Sequence, residues 1–116
     1  MITLWIVRHG LTAWNVEKRY QGHSDIPLNT TGQQQAQAIA TRMQSERLHA
    51  LVSSGSSRTR QTATAIAAHH KLTIQDMPDL REANFGLFEG LRYKDVIEQY
   101  PKMAETWFAD PERPPT

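Results

Sequence analysis

The stretch "ITLWIV", residues 2–7, is apolar on both faces apart from Thr3. It constrains the fold more than any other feature of the chain. Continuous rather than alternating hydrophobicity predicts a strand covered on both sides, as in a parallel sheet. A parallel sheet needs crossover helices, and the next segments supply them. "NTTGQQQAQAIATRMQSERL" predicts a helix capped by Thr30 or Thr31, with Gln33 or Gln34 placed for a capping box. Ala36, Ile39, Ala40 and Met43 form its apolar stripe. "HALVSS", residues 49–54, predicts a second strand, and "SSRTRQTATAIAAHH" a second helix with Ala63, Ile66 and Ala67 on one face. "LTIQD", residues 72–76, predicts a third strand. Strand, helix, strand, helix, strand in that order predicts a three-layer α/β/α sandwich with a largely parallel sheet. After Pro78, "LREANFGLFEGL" is irregular because of its glycines. "YKDVIEQYP" reads as a short helix stopped by Pro101, "KMAETWFAD" as another, and "DPERPPT" as a proline-rich boundary.

Composition narrows the functional classes. The chain has 116 residues, enough for a single domain over 1–116 with a real core. A formal net charge of +1 predicts no general nucleic-acid or membrane surface, so any anion site is local. The absence of cysteine excludes disulfides, thiolate metal sites and thiol nucleophiles. Met1 leads straight into the apolar run without a basic leader, and no apolar stretch is long enough to span a bilayer, so the expected compartment is the cytoplasm. The glycines form neither a G-x-G-x-x-G run nor a P-loop, which weakens a nucleotide-binding reading.

The ends of the predicted strands carry the chemistry. In open parallel sheets, ligands bind beyond the carboxyl ends of the strands. The first strand ends in Arg8-His9-Gly10, and the second leads into Arg58 in the first turn of the following helix. If these strands are neighbours, Arg8, His9 and Arg58 converge on one rim beside a helix N-terminus. Two guanidinium forks suit phosphate oxygens. A neutral imidazole between them offers a nucleophilic nitrogen that can carry a phosphoryl group. The departing alkoxide needs a proton, and Glu82 in "LREANFG" is the candidate acid if partial burial raises its pKa. Taken singly, each of these residues is more ordinarily a surface or cap residue. Their joint placement argues for a site. Residues 10–29 form a long connection of the kind that often carries function.

These stretches together resemble the histidine phosphatase superfamily, also called phosphoglycerate mutase-like. "RHGLTAWN" resembles the family's RHG signature with its following Thr and Asn. "YQGHSDIPLNTTGQQQA" is similar to its G-x-x-D-x-P-L-T-x-x-G-x-x-Q-A segment, "SSGSSRTRQTA" to S-S-x-L-x-R-A-x-Q-T-A, and "LREANFGLFEGL" to L-x-E-x-x-F-G-x-W-E-G-L. The resemblance implies that His9 is the phosphorylated nucleophile, that Arg8 and Arg58 bind the phosphoryl group, and that Glu82 donates the proton. It implies that Asn15, Gln21 and Gly22 line the phosphate and substrate pocket. It implies no cofactor and no metal, and the adjacent His69-His70 reads as a solvated helix end. Ser56 stands for the family's leucine, Leu11 for its common glutamate, and Phe88 for its tryptophan. The family's second catalytic histidine, in a later His-Gly motif, has no counterpart, since no histidine follows His70. The chain therefore reads as the family domain without its C-terminal part.

The resemblance favours a phosphatase, because the link from Leu80 to Pro101 is compact. The expected partner is a small phosphorylated metabolite, such as α-ribazole 5′-phosphate or a sugar phosphate, with homo-oligomerisation left open. A phosphoglycerate mutase is the alternative within the family. A non-catalytic phosphate-binding module is the alternative outside enzymes.

Overall fold

The computed structural model describes residues 1–109. The boundary expected at 110–116 lies outside the described residues. In chain order the elements are α1 (Ala13–Glu17), α2 (Thr30–Met43), β1 (Leu51–Ser53), α3 (Ser57–Ala67), β2 (Ile74–Asp76), α4 (Tyr93–Gln99) and α5 (Pro101–Ala109). Two 3₁₀ turns, Pro78–Leu80 and Gly86–Phe88, interrupt the glycine-bearing stretch before α4. The expected α/β class with a parallel sheet is observed. Strands β1 and β2 pair in parallel with Leu51 opposite Ile74, Val52 opposite Gln75 and Ser53 opposite Asp76, and α3 forms the crossover. Arg60 of α3 reinforces this unit, donating to both carboxylate oxygens of Asp76 at 2.7 Å.

The predicted strand over 2–7 is a correction. Residues 1–8 are exposed and join no sheet among the described residues. An extended run becomes a strand only when a neighbour takes up its N–H and C=O groups. The edge of β1 that is not bonded to β2 carries no strand among the described residues. The arginine of α2 covers part of the run instead: the Arg42 guanidinium stands 5.7 Å from the Trp5 ring centre.

Helix α2 starts where expected but with a different cap. The Asn29 side chain, not Thr30 or Thr31, accepts the Gly32 N–H at 2.7 Å. An antiparallel bridge between Thr12 and Leu28, with the Asn29 N–H donating to the Leu11 carbonyl at 2.9 Å, keeps Asn29 extended. The helix therefore begins at Thr30, which puts Asn29 at the position where a side-chain oxygen can cap. Ala36, Ala40 and Met43 are buried as the stripe predicts, and Ile39 stays at the surface. These three pack with Leu28, Ala65 and Ile66 in one core. A second core gathers Phe88, Val96, Ala104 and Trp107 around the glycine-bearing stretch and the two last helices. Aromatic edges join it to Tyr20, whose ring centre lies 5.1 Å from that of Phe85.

Candidate functional site

The segment carrying His9 is held by helices rather than by a sheet. The Gly10 N–H donates to the Thr62 hydroxyl of α3 at 3.2 Å. The Leu11 N–H donates to the Gln35 side-chain oxygen of α2 at 2.9 Å. Between these bonds the two backbones touch: a Cβ on Gly10 would strike the Gly32 carbonyl, and one on Gly32 would strike the Leu11 carbonyl. Glycine at both positions lets α2 press against the His9–Thr12 segment. His9 is thus placed at the head of α3 even though the run before it is unpaired.

His9 is half-buried, and its Nδ1 lies 2.6 Å from the Gly10 carbonyl oxygen. A carbonyl only accepts, so Nδ1 carries the proton and, in the neutral ring, Nε2 holds the free lone pair. Burial pushes the imidazole below its ordinary pKa, with the charges of Arg58 and Arg8 acting in the same direction. The Gly10 bond and the charge of Glu82 oppose that shift. The ring therefore stays neutral over a wider range of pH than a free histidine does.

The settings of Arg58, Arg8 and Glu82 differ. Arg58 is 4% exposed, and its guanidinium donates to the Ser24 carbonyl at 2.8 Å and the Gly22 carbonyl at 2.7 Å. Two of its five N–H groups thus bind the connection between α1 and α2, leaving three for another acceptor. Arg8 is exposed at the end of the unpaired run. Glu82 is also exposed, which corrects the expected partial burial. It sits in the irregular stretch between the 3₁₀ turns, where no helix or strand covers it, and its carboxylate accepts the Ala83 N–H at 2.8 Å. The free helix N-terminus expected on the rim is occupied too. Asp25 accepts both the Ser57 N–H, at 2.6 Å, and the Ser57 hydroxyl, at 2.7 Å. Those two bonds hold the Asp25 carboxyl below its ordinary pKa.

Asn15 and Gln21 meet around a residue that motif reading left without a role, whereas Gly22 lies against Glu89 and receives Arg58. Thr12 is fully buried, and its hydroxyl donates to the Gln21 side-chain oxygen at 2.6 Å. The same hydroxyl accepts the Asn15 N–H, while the Asn15 side-chain oxygen accepts the Thr12 N–H at 3.0 Å. This reciprocal pair is the capping box of α1. The oxygens of both amides are thus engaged by the Thr12 backbone and hydroxyl. The Thr-x-x-Asn spacing in "LTAWN" was the available signal for Thr12. Asp25, Thr62 and Glu89 were also missed. Each is a fixed letter of a family segment quoted above, which was the available signal, but the bonds that give it a role reach partners distant in sequence.

Among the described residues no group of three His, Asp or Glu side chains is placed to hold a metal ion. None of the described helices is long and apolar enough to cross a membrane. A groove of about 620 Å³ between α2 and α3, floored by Leu28, Ala36 and Ala65, is lined by none of the predicted site residues.

The chain is similar to known proteins along most of its length. Residues 4–116 match the family described as histidine phosphatase superfamily, branch 1. A "Probable phosphoglycerate mutase GpmB" of Escherichia fergusonii is 41% identical over 99 residues, which cover 85% of this chain and 46% of that protein. The crystal structure of the α-ribazole phosphatase from Shigella flexneri superposes with a TM-score of 0.84 at 29% identity, covering 90% of this chain and 52% of that one. A mycobacterial glucosyl-3-phosphoglycerate phosphatase superposes with a TM-score of 0.77 at 30% identity, covering 85% and 47%. The chain spans about half the length of the relatives it matches.

Proposed function

We propose that this chain, which belongs to branch 1 of the histidine phosphatase superfamily, hydrolyses a small phosphomonoester through a phosphohistidine at His9. The observation that carries the reading is the state of the imidazole: Nδ1–H is tied to the Gly10 carbonyl, and the ring is kept neutral by burial and by the cationic neighbours. In the first step Nε2 attacks phosphorus. The N–P bond forms, the P–O bond to the leaving group breaks, and Glu82 passes its proton to the departing oxygen. In the second step water attacks phosphorus and gives its proton to the Glu82 carboxylate. The N–P bond breaks, releasing orthophosphate and the neutral imidazole. Arg58 and Arg8 offset the charge on the phosphoryl oxygens, and the NH₂ groups of Asn15 and Gln21 add neutral donors.

A small phosphorylated metabolite is the substrate class this supports. Superposition on an α-ribazole phosphatase and on a glucosyl-3-phosphoglycerate phosphatase favours α-ribazole 5′-phosphate or a sugar phosphate. The mutase alternative draws on the relatives named phosphoglycerate mutase, and differs in returning the phosphoryl group to a bound acceptor rather than to water. The alternative of a non-catalytic phosphate-binding module keeps His9 and Arg58 as phosphate contacts without turnover.

The test is incubation with a labelled phosphomonoester. The parent chain is expected to take up acid-labile, base-stable label and release orthophosphate, and His9→Ala to take up none. Because the native pKa of His9 is lowered, labelling is expected to survive below the ordinary histidine value of about 6.5 before protonation of Nε2 abolishes it. Label on His9→Ala would refute the assignment. Transfer to an added acceptor without orthophosphate would favour the mutase, and binding without label would favour the phosphate-binding module.

A further inference from the structure

We infer that Glu89 is a positioning residue that clasps the two halves of the proposed site, setting Glu82 relative to the phosphate held by Arg58; this rests on the proposed phosphatase reading. Glu89 is half-buried in "FGLFEGL" and accepts three hydrogen bonds. Two come from the connection beneath Arg58: the His23 N–H at 3.1 Å and the Ser24 hydroxyl. The third is the Phe85 N–H, at 3.1 Å, from the segment that carries Glu82. The Ser24 and Gly22 carbonyls are the two that receive the Arg58 guanidinium. One carboxylate therefore joins the peptide that orients the phosphate-binding arginine to the peptide that presents the acid.

The packing at Gly22 shows how closely these two peptides meet. Gly22 has a φ of +54°, and a Cβ there would lie 2.5 Å from a Glu89 carboxylate oxygen, 2.8 Å from the Ala83 carbonyl and 2.9 Å from the Phe85 ring. Behind Glu89 the anchor is firm. Phe88 is fully buried, the Gly90 N–H donates to the Tyr20 carbonyl at 2.8 Å, and the Tyr20 N–H donates to the Leu91 carbonyl at 3.0 Å. Glu82 is exposed and, among the described residues, is bonded only to its own neighbour Ala83, so the placement of residues 83–85 governs where its carboxyl can reach.

The sequence of donors also says which substitution keeps the clasp. A glutamine can accept both backbone N–H groups on its oxygen and turn its NH₂ to the Ser24 hydroxyl, which then accepts. Glu89→Gln is thus the conservative variant, and Glu89→Ala removes all three bonds. Ser24→Ala removes one bond and leaves the Ser24 carbonyl in place for Arg58.

The experiment compares two substrates that differ in their need for a proton. A p-nitrophenolate leaves unaided, whereas an alkoxide leaves only with help from the acid. Phosphohistidine formation at His9 is measured for the parent chain and the three variants with p-nitrophenyl phosphate and with a simple alkyl phosphate. Glu89→Ala is expected to slow the alkyl reaction at least tenfold more than the aryl one, Ser24→Ala to shift the ratio in the same direction by less, and Glu89→Gln to restore most of it. Equal slowing of both substrates would reduce Glu89 to a structural residue and overturn the inference, as would an unchanged ratio. If Glu89→Ala does not fold, Ser24→Ala and Glu89→Gln decide by the same ratio. If the parent forms no phosphohistidine, the phosphatase reading fails by itself, and orthophosphate affinity together with the Arg58 Nε–H resonance decides. Both must change in Glu89→Ala, or in Ser24→Ala where Glu89→Ala does not fold, and stay near the parent values in Glu89→Gln; constancy of either in the clasp-breaking variant overturns the clasp.

Discussion

Replacing Arg58 by lysine separates the two tasks that the structure gives this side chain. Its guanidinium lies almost wholly out of water and reaches two carbonyls, Ser24 and Gly22, at 2.8 and 2.7 Å. A lysine keeps the charge but concentrates its donors on one atom, so it cannot span both carbonyls and still present a fork to phosphate. A hydrogen bond to a charged group contributes about 1.5–3 kcal/mol, and a buried acceptor left bare costs about 1–3 kcal/mol. Gly22 is buried, so loss of its partner is expected to lower stability by about 1–3 kcal/mol. With a denaturant slope of about 1–3 kcal/mol per molar urea, the unfolding midpoint should fall by roughly 1 M. Loss of the bidentate phosphate contact should cost a similar amount, which is about a 5- to 150-fold rise in the Kd for orthophosphate. Urea titration and calorimetric titration of the same preparations measure the two effects. A lower midpoint with unchanged phosphate affinity would show that Arg58 only props up the 22–24 peptide. It would refute its role in the proposed chemistry. An unchanged midpoint would refute the two-carbonyl bridge.

Asp25→Ala removes the acceptor for the first N–H of α3 and should cost about 0.5–2 kcal/mol near neutral pH. The lowered pKa of Asp25 fixes the sign with pH: its contribution is complete above the ordinary aspartate value of about 3.9 and fades as pH falls through the native value, so parent and variant midpoints should converge in acid. A constant difference down to pH 2 would show that the carboxylate is not the cause. Gly32→Ala drives a methyl group onto the Leu11 carbonyl and should cost about 1–3 kcal/mol, a loss of several degrees in Tm with a shifted His9 ring resonance. An unshifted His9 would sever the argued link between α2 and the imidazole.

What could be read from the sequence was what local periodicity determines. Ala36, Ala40 and Met43 recur at helical spacing, and all three are buried. Strands β1 and β2 appear inside the runs expected for them, trimmed to the three residues that can pair with each other. The cap of α2 was misread because Asn29, Thr30 and Thr31 all have the right chemistry, and the choice among them is made by the distant pairing of Leu28 with Thr12. The same limit applies to the site. Arg8, His9 and Gly10 announce themselves as a contiguous signature. Glu89 acquires its meaning from donors 65 and 66 residues away, and Asp25 from Ser57, 32 residues on. A carboxylate in a loop looks the same whether or not such donors face it.

The unpaired N-terminal run sharpens this division of labour. Arg8 adjoins His9 in the chain, yet the charge of Arg58, fifty residues on, depresses the imidazole more than that of Arg8 does. The two differ in burial, since Arg58 is almost wholly out of water and little screened whereas Arg8 is exposed; they differ also in how each is held. Arg58 is gripped by two carbonyls and by the helix it begins, while Arg8 ends an exposed segment that no strand steadies among the described residues. His9 itself does not depend on that segment, because Gly10 is bonded to Thr62 and Leu11 to Gln35. The proposed nucleophile and the proposed phosphate-binding cation are therefore held by α2, α3 and the 22–24 peptide, an arrangement that on the proposed reading stabilises developing charge without reorganisation. The second cation requires ordering of residues 2–7, and the apolar faces of Leu4 and Ile6 make that ordering favourable wherever a neighbouring strand covers them. On the proposed reading, strand pairing at the N-terminus and the strength of phosphate binding are coupled through Arg8.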